Sequence, residues 1–230
     1  MPNPLNPPAL MVRRNFPRPA ESLVNRLRDV PTGWVVDANG RRGAVDYRIR
    51  PMTRAMRFCG VALTVQSRPR DNLAPYAAIQ YAKPGDVMLI TTDTYEEASV
   101  AGDVLLGMAK NQGVCALVTD GLVRDVDGLN AVGIPVFARG LSPNSPHKDG
   151  PGKIGVPIYV GGVMVNAGDV VLGDQDGVVV VAREALESVL SSIADVQAKE
   201  AKMEALVAQG AKQPPGFDEL LADKGVLFLD

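Results

Sequence analysis

The sequence predicts one α/β domain built around a mixed β-sheet, and three observations lead to that prediction. Apolar runs alternate with amphipathic stretches between residues 57 and 140, which is typical of parallel strands joined by helices. Closely spaced apolar runs, broken by Gly-Gly, Ala-Gly-Asp and Asp-Gly, fill residues 156–182 and indicate antiparallel strands. A length of 230 residues with 46% hydrophobic content suits one globular domain with terminal extensions.

The first half of the chain opens with a proline-rich segment, residues 1–20, which we interpret as an extended arm preceding a domain at 21–210. Leu23, Leu27 and Val30 share one helical face, so a short helix is expected there. Pro75 is acceptable in the first turn of the following helix. The elements predicted in this half are a helix at 20–30, a strand at 57–68, a helix at 72–82 and a strand at 87–92.

The second half of the chain continues the alternation and then becomes antiparallel. Gly113 is a plausible cap for a helix, and apolar residues recur at helical spacing from Leu186 to Val196. The tail, residues 211–230, ends in an apolar run, so we expect it to dock on the domain or on a neighbouring subunit. The elements predicted here are a helix at 96–113, a strand at 114–121, a short helix or turn at 123–133, a strand at 134–140, antiparallel strands at 156–182 and a long helix at 183–210.

Composition excludes several classes of function. A formal charge of −2 argues against a nucleic-acid partner, and no apolar run is long enough to predict a membrane span. The single histidine, His147, excludes a histidine-rich zinc site, so any bound metal needs mainly oxygen ligands, as Mg²⁺ or Mn²⁺ does. Cys59 and Cys115 lie in apolar runs and are expected to be buried free thiols, which suggests a cytoplasmic location.

The candidate chemistry lies at two points that follow predicted strands. If a helix begins near Gly102, the amides of Gly102 to Leu105 lack intrahelical partners and can hold a carboxylate. Arg124 and Asp125 follow the next strand, where a guanidinium suits a carboxylate or enolate oxygen and an aspartate suits Mg²⁺. One helix and one strand separate the two points, which returns them to the same edge of the sheet. Such a set is suited to a 2-oxo acid.

These segments resemble the RraA-like family, which includes 4-hydroxy-4-methyl-2-oxoglutarate/4-carboxy-4-hydroxy-2-oxoadipate aldolases and regulators of ribonuclease E. The resemblance runs from about Gly60 to Ala182, and its most specific part is the block from Ala101 to Asp125, "AGDVLLGMAKNQGVCALVTDGLVRD". It implies a layered β/β/α fold of the swivelling-domain type with a mixed sheet. It also implies homotrimers or hexamers with active sites between subunits.

The resemblance also implies roles for individual residues. Gly102, Asp103, Val104 and Leu105 would bind a pyruvyl carboxylate through their amides. Arg124 would contact the keto or enolate oxygen, and Asp125 would hold Mg²⁺ or Mn²⁺, largely through waters. The family's aldolase pattern expects an acidic residue three positions after Asp125, where this chain has Gly128 beside Asp127.

The predicted function is a metal-dependent aldolase that cleaves a 4-hydroxy-2-oxo acid, with oxaloacetate decarboxylation as a companion activity. The general base is left open between a metal-bound water, Asp103, and Glu200 of a neighbouring subunit. Schiff-base chemistry at Lys83 or Lys110 is less favoured, since neither lies in a desolvating context. The alternative is a non-catalytic regulator that binds ribonuclease E or another protein.

Two further acidic motifs have structural as well as functional interpretations. Asp71 and Asn72 either line the pocket or cap the helix that follows them. Asp174 and Asp176 are expected to be turn residues.

Overall fold

The computed structural model describes residues 8–229, and its elements alternate as the sequence predicts. The helices are α1 (Glu21–Asn25), α2 (Thr32–Ala38), α3 (Leu73–Ile79), α4 (Asp103–Asn111), α5 (Val126–Val132), α6 (Leu186–Ala208) and α7 (Phe217–Lys224). The strands are β1 (Leu10–Val12), β2 (Arg50–Pro51), β3 (Phe58–Ser67), β4 (Asp86–Thr91), β5 (Ser99–Ala101), β6 (Ala116–Thr119), β7 (Leu122–Val123), β8 (Val136–Ala138), β9 (Gly140–Leu141), β10 (Gly152–Ile154), β11 (Ile158–Val160), β12 (Val163–Val165), β13 (Val170–Asp174) and β14 (Gly177–Val181).

The main sheet is mixed, which confirms the predicted fold class. Its centre is the parallel set β3, β4, β6 and β8, with β2 antiparallel at one edge. On its other side, β3 pairs antiparallel with β13 along its first half and with β10 along its second half. β4 is buried at all six positions, as expected for a strand covered on both faces of the sheet.

Each of three parallel strands is continued by a short strand beyond its carboxyl end. β5 follows β4, β7 follows β6, and β9 follows β8, and these three form a second parallel sheet in the order β5-β7-β9. Asp120, which follows β6, links the end of β6 to the end of β4. Its carboxylate accepts hydrogen bonds from the Thr92 N–H and the Thr91 hydroxyl, both at 2.7 Å. Burial raises the pKa of Asp120. The small sheet carries both candidate strand–helix junctions.

The predicted helix at 96–113 is wrong over its first third. Ser99–Ala101 forms β5 and pairs with β7, and α4 begins only at Asp103. The physical reason is tertiary pairing: residues 98–101 are buried between neighbouring segments, which a helix-like composition does not reveal. Gly113, with φ +99°, follows the end of α4 as predicted.

Both ends of the described chain extend beyond the central domain. β1 adds a parallel edge strand next to β10, and Arg18 forms an ion pair with Asp86 at the start of β4. At the other end, Val226 to Leu229 are 48–86% exposed, so they do not pack on this chain's own domain. Residues 1–7 of the predicted arm and Asp230 of the tail lie outside the described residues. Within residues 8–229, no helix has the length and apolar character needed to cross a bilayer.

Candidate functional site

The candidate site forms where two neighbouring strand–helix junctions meet. β5 leads through Gly102 into α4, and β7 leads through Arg124 and Asp125 into α5. The two strands are parallel neighbours, and the Arg124 N–H donates to the Ala101 carbonyl oxygen at 3.1 Å. The amide end of one helix therefore lies beside the guanidinium and the carboxylate at the start of the next.

Gly102 is the point of closest approach between the junctions. A Cβ added there would lie 2.5 Å from Asp125 Oδ2 and 3.2 Å from Arg124 Cγ. Its backbone is extended, with φ −139° and ψ −171°, so the requirement for glycine comes from space and not from its conformation. Only glycine lets the Asp125 carboxylate and the Arg124 side chain lie against the start of α4.

Arg124 and Asp125 form an ion pair that remains accessible. The distance from Arg124 Nε to Asp125 Oδ2 is 3.1 Å, and the two side chains are 37% and 42% exposed. Arg124 Nη1 also donates to Ser145 Oγ at 2.5 Å, which draws in the loop before β10. Asp125 adopts a left-handed conformation, with φ 62°, that aspartate tolerates better than most residues. Both side chains are thus held in place while keeping a face open to a ligand.

Asp103 fills the place where the family pattern would put an acidic side chain on α5. A Cβ added at Gly128 would collide with the Asp103 carboxylate, so no side chain fits at residue 128 unless Asp103 moves. Asp127, the neighbour considered as a substitute, is exposed on α5. The carboxylate of Asp103, the first residue of α4, therefore occupies the space next to residue 128.

One of the backbone amides from Gly102 to Leu105, which were predicted to bind a carboxylate, already has a partner within this chain. Asp103 Oδ1 accepts the Val104 N–H at 2.7 Å, as acidic side chains in the first turn of a helix commonly do. A ligand carboxylate would compete with Asp103 for this amide. The expectation of free amides from Gly102 to Leu105 is thus corrected at Val104.

A cavity of about 140 Å³ opens at the two junctions. It is lined by the residues predicted for substrate and metal binding and by Asp103, but not by Glu200, together with side chains from α3 and from the loop before β10. Its lining is Asn72, Tyr76, Ser99, Ala101, Gly102, Asp103, Val104, Leu105, Arg124, Asp125, Ser145, Pro146 and Lys148. The sequence did not single out Ser145 or Lys148, because polar residues in a Pro/Ser-rich loop carry no local signal, nor Tyr76, which lies on α3.

Asp71 and Asn72 were expected either to cap α3 or to line the pocket, and each of them does one of the two. Asp71 Oδ1 caps α3 by accepting the Leu73 N–H at 2.9 Å, and Asp71 Oδ2 accepts the Asp149 and Gly150 N–H groups at 2.6 and 3.0 Å. The Asn72 side chain makes no capping bond and lines the cavity. Asp71 is structural, and Asn72 faces the site.

The remaining candidates lie elsewhere in the structure. Lys110 donates to the Val132 carbonyl oxygen at the end of α5, and Lys83 lines a different cavity near α1. Glu200 faces a cleft formed with α2 and β14 in this chain, and its reach into a neighbouring subunit stays a prediction. Asp176 is a turn residue as predicted, whereas Asp174 ends β13, accepts the Asp176 N–H at 3.0 Å and also accepts the Thr32 N–H at 2.9 Å, which anchors α2.

The site suits a metal that needs few protein ligands. Residues 8–229 contain no group of three or more His, Cys, Asp or Glu side chains arranged to hold an ion. Asp125 is a carboxylate at the cavity wall that could supply oxygen ligands to a hard cation such as Mg²⁺.

Comparisons with known proteins point to one family. The family model "RraA-like: Aldolase/RraA" matches residues 29–180. A Halalkalibacterium halodurans protein named "Putative 4-hydroxy-4-methyl-2-oxoglutarate aldolase" is 36% identical over 186 residues, covering 81% of this chain and 89% of that protein.

Solved structures show the same fold. An uncharacterized protein from Pseudomonas syringae superposes with a TM-score of 0.75 at 24% identity, covering 86% of this chain and 97% of that one. The RNA-processing inhibitor RraA from Thermus thermophilis superposes with a TM-score of 0.62 at 25% identity, covering 66% of this chain and 93% of that one.

Proposed function

This chain belongs to the RraA-like family, and from that premise we propose that it is a divalent-metal-dependent aldolase. Its substrate would be a 4-hydroxy-2-oxo acid, which it would cleave to pyruvate and a second oxo compound. The observation that carries the proposal is the convergence of the α4 amide end, the Arg124 guanidinium and the Asp125 carboxylate at Gly102. The aldolase name of the Halalkalibacterium relative supports the same reaction class.

The chain's own residues would act on the charge that develops during the reaction. The C4 hydroxyl loses its proton as the C3–C4 bond breaks, and the bonding electrons pass to the pyruvyl fragment as an enolate. Arg124 would donate to the enolate oxygen, and the amides at the start of α4 that Asp103 does not occupy would receive the adjacent carboxylate. Protonation of the enolate at C3 then gives pyruvate.

Asp125, held against Gly102, is the residue that would hold the cation. A Mg²⁺ or Mn²⁺ ion, when bound, would polarise the 2-oxo group and so favour the enolate. Oxaloacetate decarboxylation passes through the same enolate, so we include it as an expected second activity. Asp103 is the protein carboxylate nearest to the Gly128 side of the site, which makes it our candidate for proton transfer.

Metal removal tests this proposal most directly. Pyruvate release from 4-hydroxy-4-methyl-2-oxoglutarate should stop in EDTA and return with Mn²⁺ or Mg²⁺. Asp125→Asn should raise the Mn²⁺ concentration for half-maximal activity at least about tenfold, because a ligand carboxylate has lost its charge. Mn²⁺ binding followed by electron paramagnetic resonance should weaken in parallel.

The matched control is Asp127→Asn, which removes an exposed carboxylate two residues away. It should leave metal binding and activity unchanged. Pyruvate release that persists in EDTA would eliminate the metal-dependent mechanism.

A protein-binding regulator is the second candidate, and the shared fold of the Thermus RNA-processing inhibitor favours it. In that case the chain would slow RNA cleavage by ribonuclease E and release no pyruvate. Arg124→Ala would inhibit the nuclease as well as the wild type does. If inhibition of the nuclease requires Arg124, the surface that binds the nuclease would include the proposed aldolase site.

A further inference from the structure

Asn72 presents an unsatisfied hydrogen-bonding group at the candidate site. Its residue is only 6% exposed, and its side-chain oxygen Oδ1 is buried without a hydrogen-bond partner among residues 8–229. Leaving a buried acceptor unpaired costs on the order of 1–3 kcal/mol, so such groups usually have a partner in the functional state. Asn72 is therefore a polar group that the fold itself does not use.

The backbone holds Asn72 firmly at this position. Its N–H donates to the His147 carbonyl oxygen at 3.0 Å, and its own carbonyl oxygen accepts the Tyr76 N–H at 3.2 Å. The cap of α3 that an asparagine would ordinarily supply comes from Asp71 instead. The carboxamide is left free, beside a cavity that also contains Gly102, Arg124 and Asp125.

The chemistry of an acceptor restricts the ligand group that it can recognise. At neutral pH, the carboxylates and the ketone of a 2-oxo acid only accept hydrogen bonds. A hydroxyl is the group on a 4-hydroxy-2-oxo acid that can donate to Oδ1. Building on the function proposed above, we infer that Asn72 recognises the C4 hydroxyl and so selects hydroxylated keto acids over oxaloacetate.

Asn72 acts in this role as a positioning residue. A neutral carboxamide accepts a hydrogen bond but does not take the proton, so the C4 hydroxyl has to turn its single proton from Oδ1 to a base as the C3–C4 bond breaks. Holding that hydroxyl fixes the C3–C4 bond relative to Arg124. Substrates without the C4 hydroxyl, such as oxaloacetate, cannot make this contact.

The test compares two substrates that differ in the hydroxyl. Kinetics with 4-hydroxy-4-methyl-2-oxoglutarate and with oxaloacetate are measured for the wild type, Asn72→Ala and Asn72→Ser. The ratio of kcat/KM for the hydroxy acid to that for oxaloacetate should fall by about 10- to 100-fold in Asn72→Ala, as expected for one lost bond to a buried partner. Asn72→Ser retains an acceptor and should recover part of the ratio. Asn25→Ala, on α1, should match the wild type.

Two results would overturn the role of Asn72. Equal losses on both substrates would show a purely structural effect, and an unchanged ratio would show that Oδ1 does not contact the C4 hydroxyl. Either result leaves the proposed aldolase intact, because the wild type still releases pyruvate. A wild type that cleaves neither compound would instead overturn the proposed function, and this inference with it.

Discussion

Two arginine–aspartate pairs of this molecule show how burial separates a structural ion pair from a reactive one. Arg18 reaches from the N-terminal segment to Asp86, whose side chain is 0% exposed, and the Arg18 side chain is 19% exposed. Arg124 and Asp125 are neighbours in sequence, and their side chains are 37% and 42% exposed. The first pair joins two distant segments, whereas the second faces a cavity.

The two aspartates differ in how many hydrogen bonds their carboxylates already accept from the protein. Asp86 accepts two bonds from Arg18 and one from the Lys83 N–H at 2.9 Å, which occupies its oxygens with protein donors. Asp125 shares one 3.1 Å contact with Arg124 and keeps the rest of its carboxylate accessible. The same residue pair is therefore buried and fully bonded in one place and partly exposed beside a cavity in the other.

Replacing Arg124 should produce the largest effect on function with almost none on folding. Arg124→Ala should lower kcat/KM for pyruvate release by about 100- to 1000-fold, as loss of one oxyanion donor does. Its free energy of unfolding should change by less than about 1 kcal/mol, because exposed pairs contribute little. A coupled pyruvate assay and urea unfolding measure the two effects.

Two further variants check the Arg124 result. Arg124→Lys keeps the charge but loses the planar fork, so it should retain only part of the activity. Arg54→Ala, at an exposed position, should behave as the wild type does. Full activity in Arg124→Ala would remove the guanidinium from the reaction.

Replacing Arg18 should have the opposite profile. Arg18→Ala leaves the buried Asp86 carboxylate without its charged partner, which should lower the free energy of unfolding by about 3–5 kcal/mol. The activity of the folded fraction should stay normal. Arg14→Ala, an exposed arginine of the same segment, should change stability by less than about 0.5 kcal/mol. If both variants are equally stable, the buried pair is not an anchor.

The two pairs also differ in how far the sequence could predict them. Arg124 and Asp125 follow an apolar strand, and the strand–helix order alone brings them to the edge that carries Gly102. Arg18 and Asp86 lie 68 residues apart, and nothing local to a proline-rich arm indicates its partner. The short strand β5 was missed for the same reason, since its pairing with β7 is set by the tertiary fold. The sequence also could not show that Asp103 rests on Gly128.

Replacing Gly128 tests whether a glycine that lowers helix stability is needed to make room for the Asp103 carboxylate. Alanine normally stabilises a helix by about 1 kcal/mol relative to glycine, and Gly107 of α4 has room for it, with the nearest neighbouring atom at 3.8 Å. Gly107→Ala should therefore raise the midpoint of urea unfolding. Gly128→Ala should show no such gain and should lower kcat/KM about tenfold, because the new Cβ displaces the Asp103 carboxylate. A stabilised and fully active Gly128→Ala would show that the placement of Asp103 is irrelevant.

A third pair, Asp46 and Arg48, should give the smallest effect, and it joins a carboxylate that is 16% exposed to an arginine that is 55% exposed. Hydrogen bonds from Arg48 lower the pKa of Asp46 to about 2. Since the folded pKa lies below the ordinary value of about 4, the pair stabilises the fold above that pH and loses its contribution as the pH falls towards 2. Arg48→Gln should return the pKa of Asp46 towards its ordinary value in a carboxyl NMR titration, with little change in stability at pH 7. A pKa that stays near 2 in this variant would assign the shift to the rest of the fold, including Arg139 at 3.8 Å from Asp46, instead of to Arg48.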